Sequence, residues 1–185
     1  MFVFTHDDMG MRKKQLSINE STGQALTETC WTENFSVPNG MMVIEGVIGV
    51  ADIQNQNGRI YPFNEYKRHI ESLRERLEHG VYGEMFHPED MEVNIERATH
   101  RILDIKLLEN GNVYGKFLLL DNVHGSNCQS IVRSGGWLPV SSRGYGELDG
   151  NNHVTLDLLQ TWDVVNEGGF KAVSYTHLTL PTKRI

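Results

Sequence analysis

Several features that would mark a secreted, membrane-embedded or nucleic-acid-binding protein are scarce in this sequence. It has only two cysteines among 185 residues, Cys30 and Cys128, and they lack the close spacing of a metal knuckle or a redox pair. Both read as free thiols of a reducing compartment. Apolar runs are short: Met41-Met42-Val43-Ile44 is broken at Glu45, far below the roughly 20 residues a membrane span needs. Met1 to Thr5 is followed at once by His6, Asp7 and Asp8 instead of an apolar signal core. Cytoplasmic residence without a membrane partner is the expectation. Basic charge is also in deficit. The formal net charge is −7, which disfavours a nucleic-acid binder, because such domains carry a basic face to neutralise phosphates.

What is present is ordinary for a globular protein: 39% hydrophobic and 22% charged residues. The length suits one domain that buries roughly two-thirds of its unfolded surface without staples. Residues 1–40 are polar, carry little periodicity and end in the turn-rich Ser36-Val37-Pro38-Asn39-Gly40. They read as an N-terminal extension. From Met41 to Ile53 β-branched and apolar residues dominate, which predicts a strand, and Asn55-Gln56-Asn57-Gly58 supplies a turn before Arg59-Ile60-Tyr61-Pro62. Phe63, Tyr66, Ile70, Leu73 and Leu77 recur at steps of three and four with Gly80 behind them, the pattern of an amphipathic helix.

Asn110-Gly111 joins the apolar runs Ile102 to Leu108 and Val113 to Leu120, a strong hairpin signal. A short helix is expected over Ser126 to Arg133, closed by Gly135, and a second strand pair over Leu138 to Leu148 and His153 to Val165. The sum is an α+β domain with mostly antiparallel strands. The domain is taken as residues 41–171. Residues 172–185 resemble translated sequencing-adapter read-through and are set aside as a non-native tail, so the natural C-terminus is expected to be missing.

Three segments place reactive residue types beside a strand edge or turn: Gly83-Glu84-Met85-Phe86-His87-Pro88, Ser141-Ser142-Arg143-Gly144-Tyr145-Gly146 and Thr161-Trp162-Asp163-Val164-Val165. A serine hydroxyl is a weak nucleophile until a base takes its proton, and a histidine does so best when a third group fixes its tautomer. By spacing alone the trio is no more than a candidate: the serines could end a strand, His87 could be a loop histidine and Asp163 a turn cap. Strand alternation puts Ser141, Arg143 and Tyr145 on one face and Ser142 on the other, so the two serines cannot share a role. His69, His79, His124 and His153 read as solvated helix or loop positions. Glu84 and His87 with His100 or His124 are zinc-ligand types, but Pro88 breaks the helix that a His-Glu motif requires, so no metal is expected.

Taken together the segments resemble the prohead core proteases of T-even-type tailed phages, a family related in fold to the herpesvirus assemblin proteases. The similarity runs from about Val43 to Val165. Asn55 to Pro62 resembles the family's Asn-Arg-Asn-x-Arg-Leu/Ile-Tyr-Pro, Gly83-Glu84 with His87-Pro88 its Gly-Glu-Leu-x-His-Pro, and Ser141 to Gly144 its Ser-Ser-Arg-Gly. The resemblance implies a β-barrel-like core with flanking helices, His87 as general base, Ser141 as nucleophile, and Asp163, 22 positions further on, as third member. Assemblins use a second histidine at that third position.

Backbone amides of Ser142, Arg143 and Gly144, or the Arg143 side chain, would then stabilise the oxyanion. The family cuts scaffold, capsid and its own precursor after glutamate in a Leu/Ile-x-Glu context. Ile18-Asn19-Glu20 and Leu26-Thr27-Glu28 fit that pattern, making Glu20 and Glu28 candidate self-cleavage sites of a propeptide. Action without a cofactor inside the assembling prohead in the host cytoplasm follows, with self-association there. The competing expectation is a non-catalytic core or scaffold protein of the same fold. The chain departs from the family after Asp163, with Glu167-Gly168-Gly169 where relatives carry a Pro-Ser pair.

Overall fold

In the computed structural model, residues 2–3, 16–18, 25–26 and 41–168 are described. The chain divides into two compact units, Met1–Asn34 and Phe35–Ile185. The first holds three short antiparallel strands, β1 (Phe2–Val3), β2 (Leu16–Ile18) and β3 (Ala25–Leu26), in the order β1-β2-β3. Glu20, Glu28, Cys30 and the tail at 172–185 lie outside the described residues.

In the second unit the apolar segment after Gly40 forms β4 (Met42–Val50), whose side chains are buried or half-buried along its whole length. With β5 (Val81–Glu84), β6 (Ala98–Leu107) and β7 (Asn112–Leu119) it makes a four-stranded antiparallel sheet in the order β4-β7-β6-β5. Asn110-Gly111 forms the expected hairpin between β6 and β7. Gly111 takes φ +85° at that turn and donates its N–H to the Leu108 carbonyl. The edge strand β5 has no counterpart in the sequence reading. Four residues directly behind the helix-ending Gly80 are too few for a period to show.

The predicted helix is α1 (Phe63–Glu75), continued by a 3-10 turn at Leu77–His79 that ends at Gly80, φ +87°. Tyr66, Ile70, Leu73 and Leu77 are buried from this face against the sheet. Pro62 offers no side-chain cap; Asp52, eleven residues back from Phe63, accepts the Phe63 N–H at 2.9 Å instead.

The second helix, α2 (Val123–Arg133), begins three residues earlier than expected, because Asn122 caps it by accepting the Gly125 N–H at 2.7 Å. His124 is therefore helical rather than a loop residue. His69 likewise departs from the solvated reading, since its side chain is 12% exposed and pairs with Glu65 at 3.3 Å.

β8 (Val140–Leu148) and β9 (Val154–Val164) form a long two-stranded hairpin. One parallel bridge, Met85 to Val164, ties its end to the end of β5. Trp162 on β9 is fully buried, stacks with Tyr66 and donates its indole N–H to the Ile48 carbonyl. Because side chains alternate along a strand, sending Trp162 into the core turns its neighbours Thr161 and Asp163 to the opposite face, toward the end of β5.

Candidate active site

Beyond β5 the chain hooks onto β9. The Phe86 N–H donates to the Val164 carbonyl at 2.6 Å, and Phe86 adopts φ +66°, a left-handed conformation that is costly for a bulky side chain. The reversal leaves the Phe86 ring half exposed and brings His87 back onto Asp163. His87 Nδ1 lies 2.9 Å from Asp163 Oδ2, with the histidine 40% exposed and the carboxylate fully buried. A carboxylate at Nδ1 selects the tautomer with its proton there, leaving the Nε2 lone pair free to act as a base.

Asp163 is held by more than His87. Its Oδ1 accepts the Glu84 N–H at 2.9 Å and Arg143 Nη2 at 3.0 Å, and Arg143 Nε lies 2.9 Å from Oδ2. The same guanidinium reaches Glu84 Oε2 at 2.9 Å, and its Nη1 donates to the Asp90 carbonyl at 2.9 Å. Glu84 in turn accepts the Asn94 N–H at 2.9 Å and has Arg97 at 3.5 Å. One buried cation thus joins two buried carboxylates and pins the loop after Pro88 over them, an arrangement that keeps each desolvated charge compensated.

Ser141 stands directly opposite Asp163 in the β8–β9 register, so both project from one face. Ser142, opposite Trp162, points the other way and hydrogen-bonds the Tyr66 hydroxyl. Burial, reinforced by neighbouring Tyr61, pushes that hydroxyl well above the usual tyrosine range, with the Ser142 bond acting in the opposite direction. The two serines therefore have different tasks. The ladder register breaks after Arg143, and a Cβ on Gly144 would come within 2.5 Å of the Leu158 carbonyl. Glycine is required there by close backbone approach.

His87, Ser141 and Ser142 line one cleft of about 350 Å³ with Asn55, Gln56, Asn57, Arg59, Tyr61, Tyr66 and the stretch from Val165 to Gly168. His100 is elsewhere, sealed between Gly83 and Phe117, whose ring it meets edge-on at 4.9 Å. Its Nδ1 lies 2.8 Å from the Thr99 hydroxyl. Burial pushes His100 down to about 4, against the pull of the Asp163 charge. Gly83 has no room for a Cβ, which would overlap the Trp162 carbonyl and the His100 ring. The zinc arrangement does not form: Glu84 turns to arginines, His87 to Asp163 and His100 into the core. Among the described residues no group of three or more His, Cys, Asp or Glu side chains is placed to hold a metal ion.

A family model described as prohead core protein serine protease matches residues 21–174. This chain belongs to that family. The prohead core protein protease of Enterobacteria phage T4 is 30% identical over 132 residues, covering 69% of this chain and 58% of the relative. The chain thus spans under two-thirds of that relative's length. The solved structure of the bacteriophage T4 capsid assembly protease, gp21, matches with a TM-score of 0.60 and 27% identity, over 66% of this chain and 80% of the other. The mixed fold of mostly antiparallel strands and two helices is shared with it.

For this member of the prohead protease family the candidate residues meet in part through contacts no motif displays. His87 and Asp163 touch, Ser141 faces Asp163, and all of Ser142, Arg143 and Gly144 have structural engagements. Sequence reasoning missed the Glu84–Arg143–Asp163 network. Its signal was present in the fixed charges of Gly83-Glu84 and Ser142-Arg143, but pairing them required the β5–β9 bridge.

Proposed function

We propose that this chain is a serine endopeptidase that cleaves scaffold or core and capsid proteins during phage prohead maturation and removes its own N-terminal extension. The observation that carries this reading is the His87–Asp163 contact opposite Ser141 at the wall of a single cleft. His87 Nε2 takes the proton from Ser141 Oγ, and the oxygen attacks the scissile carbonyl. His87 then returns the proton to the leaving amine, and water hydrolyses the acyl-enzyme by the same route. Asp163 fixes the imidazole tautomer and stabilises the imidazolium.

The Arg143 guanidinium is engaged with Glu84, Asp163 and a backbone carbonyl, so the oxyanion falls to backbone amides of the Ser142-Arg143-Gly144 segment. Losing one such donor costs about 10²–10³ in rate. Self-cleavage is placed after Glu20 or Glu28, the substrates are prohead proteins, and the site of action is the assembling prohead in the host cytoplasm, where copies of the chain associate. A herpesvirus-protease-like barrel is the architecture we favour, with the Met85–Val164 bridge as the seam between the two sheets. No metal or other cofactor enters the scheme.

The test is labelling by a fluorophosphonate. A single adduct mapped to Ser141, abolished by His87→Ala, is the expected result. Labelling at Ser142, or none in a folded chain, contradicts it, and the latter favours a non-catalytic core or scaffold role.

A further inference from the structure

Arg59 lines the same cleft as His87 and Ser141. Every other arginine of the described residues gives its guanidinium to a carboxylate, a side-chain amide or a carbonyl, for example Arg68 to Glu65, Arg76 to Gln160 and Arg133 to Gln129. Among the described residues Arg59 has no such side-chain partner. Its backbone is nevertheless tightly held. Asn55 Oδ1 accepts the Arg59 N–H at 3.0 Å and the Asn57 N–H at 2.9 Å, while the Asn55 N–H donates to the Arg59 carbonyl. Gln54 closes the turn on the Gly58 carbonyl at 3.0 Å, and Gly58 takes φ +75°. A fixed loop therefore presents, at the wall of the cleft, a cation uncommitted among the described residues.

Among the described residues no carboxylate of the cleft neutralises it. Glu167 lines the cleft but forms no ion pair with Arg59 among the described residues. The remaining wall carries no formal charge: it is built of amides such as Asn55 and Asn166, of aromatics such as Tyr61, and of aliphatic groups such as Ile48 and Val165.

We propose that Arg59 is the specificity-determining residue of this cleft, taking the carboxylate of an acidic side chain on the bound peptide next to the bond that is cut. This rests on the peptidase reading of the site. A guanidinium suits the task because its planar fork matches a carboxylate with two parallel N–H···O bonds. The loop's rigidity means that only the side chain must be ordered on binding.

The test uses the full chain carrying Ser141→Ala, so that binding is read without turnover. The probe is a labelled peptide of residues 13–24, in which Glu20 is the one acidic residue. It is compared by fluorescence anisotropy with two substituted peptides, one carrying Glu20→Gln and one carrying Glu20→Lys. The Ser141→Ala chain binds the unsubstituted peptide about 10- to 100-fold more tightly than the Glu20→Gln peptide, the range of a charge-assisted pair. Adding Arg59→Ala brings the ratio to about one, Arg59→Lys keeps part of it, and Arg59→Glu turns preference toward the Glu20→Lys peptide. Arg59 is exposed, and circular dichroism verifies that each variant is folded. A Ser141→Ala chain without preference, or an unchanged ratio after Arg59→Ala, overturns the assignment. Hydrolysis of the unsubstituted peptide by the chain with Ser141 intact is scored separately, so its absence ends the peptidase reading while the binding ratio still decides on Arg59.

Discussion

Replacing Arg143 with methionine distinguishes a guanidinium that works beneath Asp163 from one that works on the oxyanion. The side chain is 4% exposed and lies within 2.9 Å of both Glu84 and Asp163, which are 1% and 0% exposed. Methionine fills much of the volume but strands two carboxylates in the interior. Breaking a buried pair from one side costs about 3–5 kcal/mol, a large part of the roughly 5–15 kcal/mol that holds a domain together. With a urea dependence of about 2 kcal/mol per molar, the unfolding midpoint should fall by about 2 M.

Adding Glu84→Gln removes one of the stranded charges and should recover about half of the loss, giving a coupling that a double-mutant cycle detects. This second variant also keeps the test informative if Arg143→Met alone is largely unfolded. A stability loss below about 1 kcal/mol combined with a rate loss of about 10²–10³ would refute the reasoning and return the guanidinium to the oxyanion.

Three further outcomes follow from the geometry. Asp163→Asn removes the carboxylate that selects the His87 tautomer and should lower kcat by about 10⁴, as it does for a triad aspartate, read by peptide hydrolysis at matched folded fraction. His100, pushed down to about 4 from its ordinary 6.5, adds stability that is fully present above about pH 6.5 and is lost as pH falls toward 4, because the unfolded chain binds the proton first. At about 1.4 kcal/mol per pH unit this amounts to about 3 kcal/mol, visible as a falling urea midpoint between pH 7 and pH 4 that is shallower in His100→Phe. Gly83→Ala should destabilise by about 3 kcal/mol, the upper end for overpacking, because its methyl meets a backbone carbonyl and the His100 ring; at about 2–4 °C per kcal/mol for a chain of this size the thermal midpoint should fall by about 6–12 °C, and a shift of less than about 2 °C would count against that close approach.

The parts legible in the sequence are those whose signals are local. The Tyr66-Ile70-Leu73-Leu77 stripe and the Asn110-Gly111 turn each fix an element within a few residues, and α1 and the β6–β7 hairpin form where expected. Strand alternation likewise separates Ser141 from Ser142 without any knowledge of register. What escapes is set by tertiary pairing. β5 is held by its ladder with β6 rather than by any period of its own. The starting point of α2 depends on Asn122, whose capping role shows only in the structure. The role of Glu84 stays hidden because its immediate neighbours in sequence do not reveal that Arg143, far along the chain, is its partner. The left-handed Phe86, which turns His87 onto Asp163, leaves no compositional trace, since a bulky residue is the last expected to adopt that conformation.

The central claim is that Ser141, activated by His87, cuts peptide bonds. The full chain should be followed over time by intact mass and N-terminal sequencing beside its Ser141→Ala and Ser142→Ala versions. Cleavage after Glu20 or Glu28 that persists in Ser142→Ala and vanishes in Ser141→Ala is the predicted result. Processing that survives Ser141→Ala, or a folded parent chain that retains Met1 throughout, would contradict it.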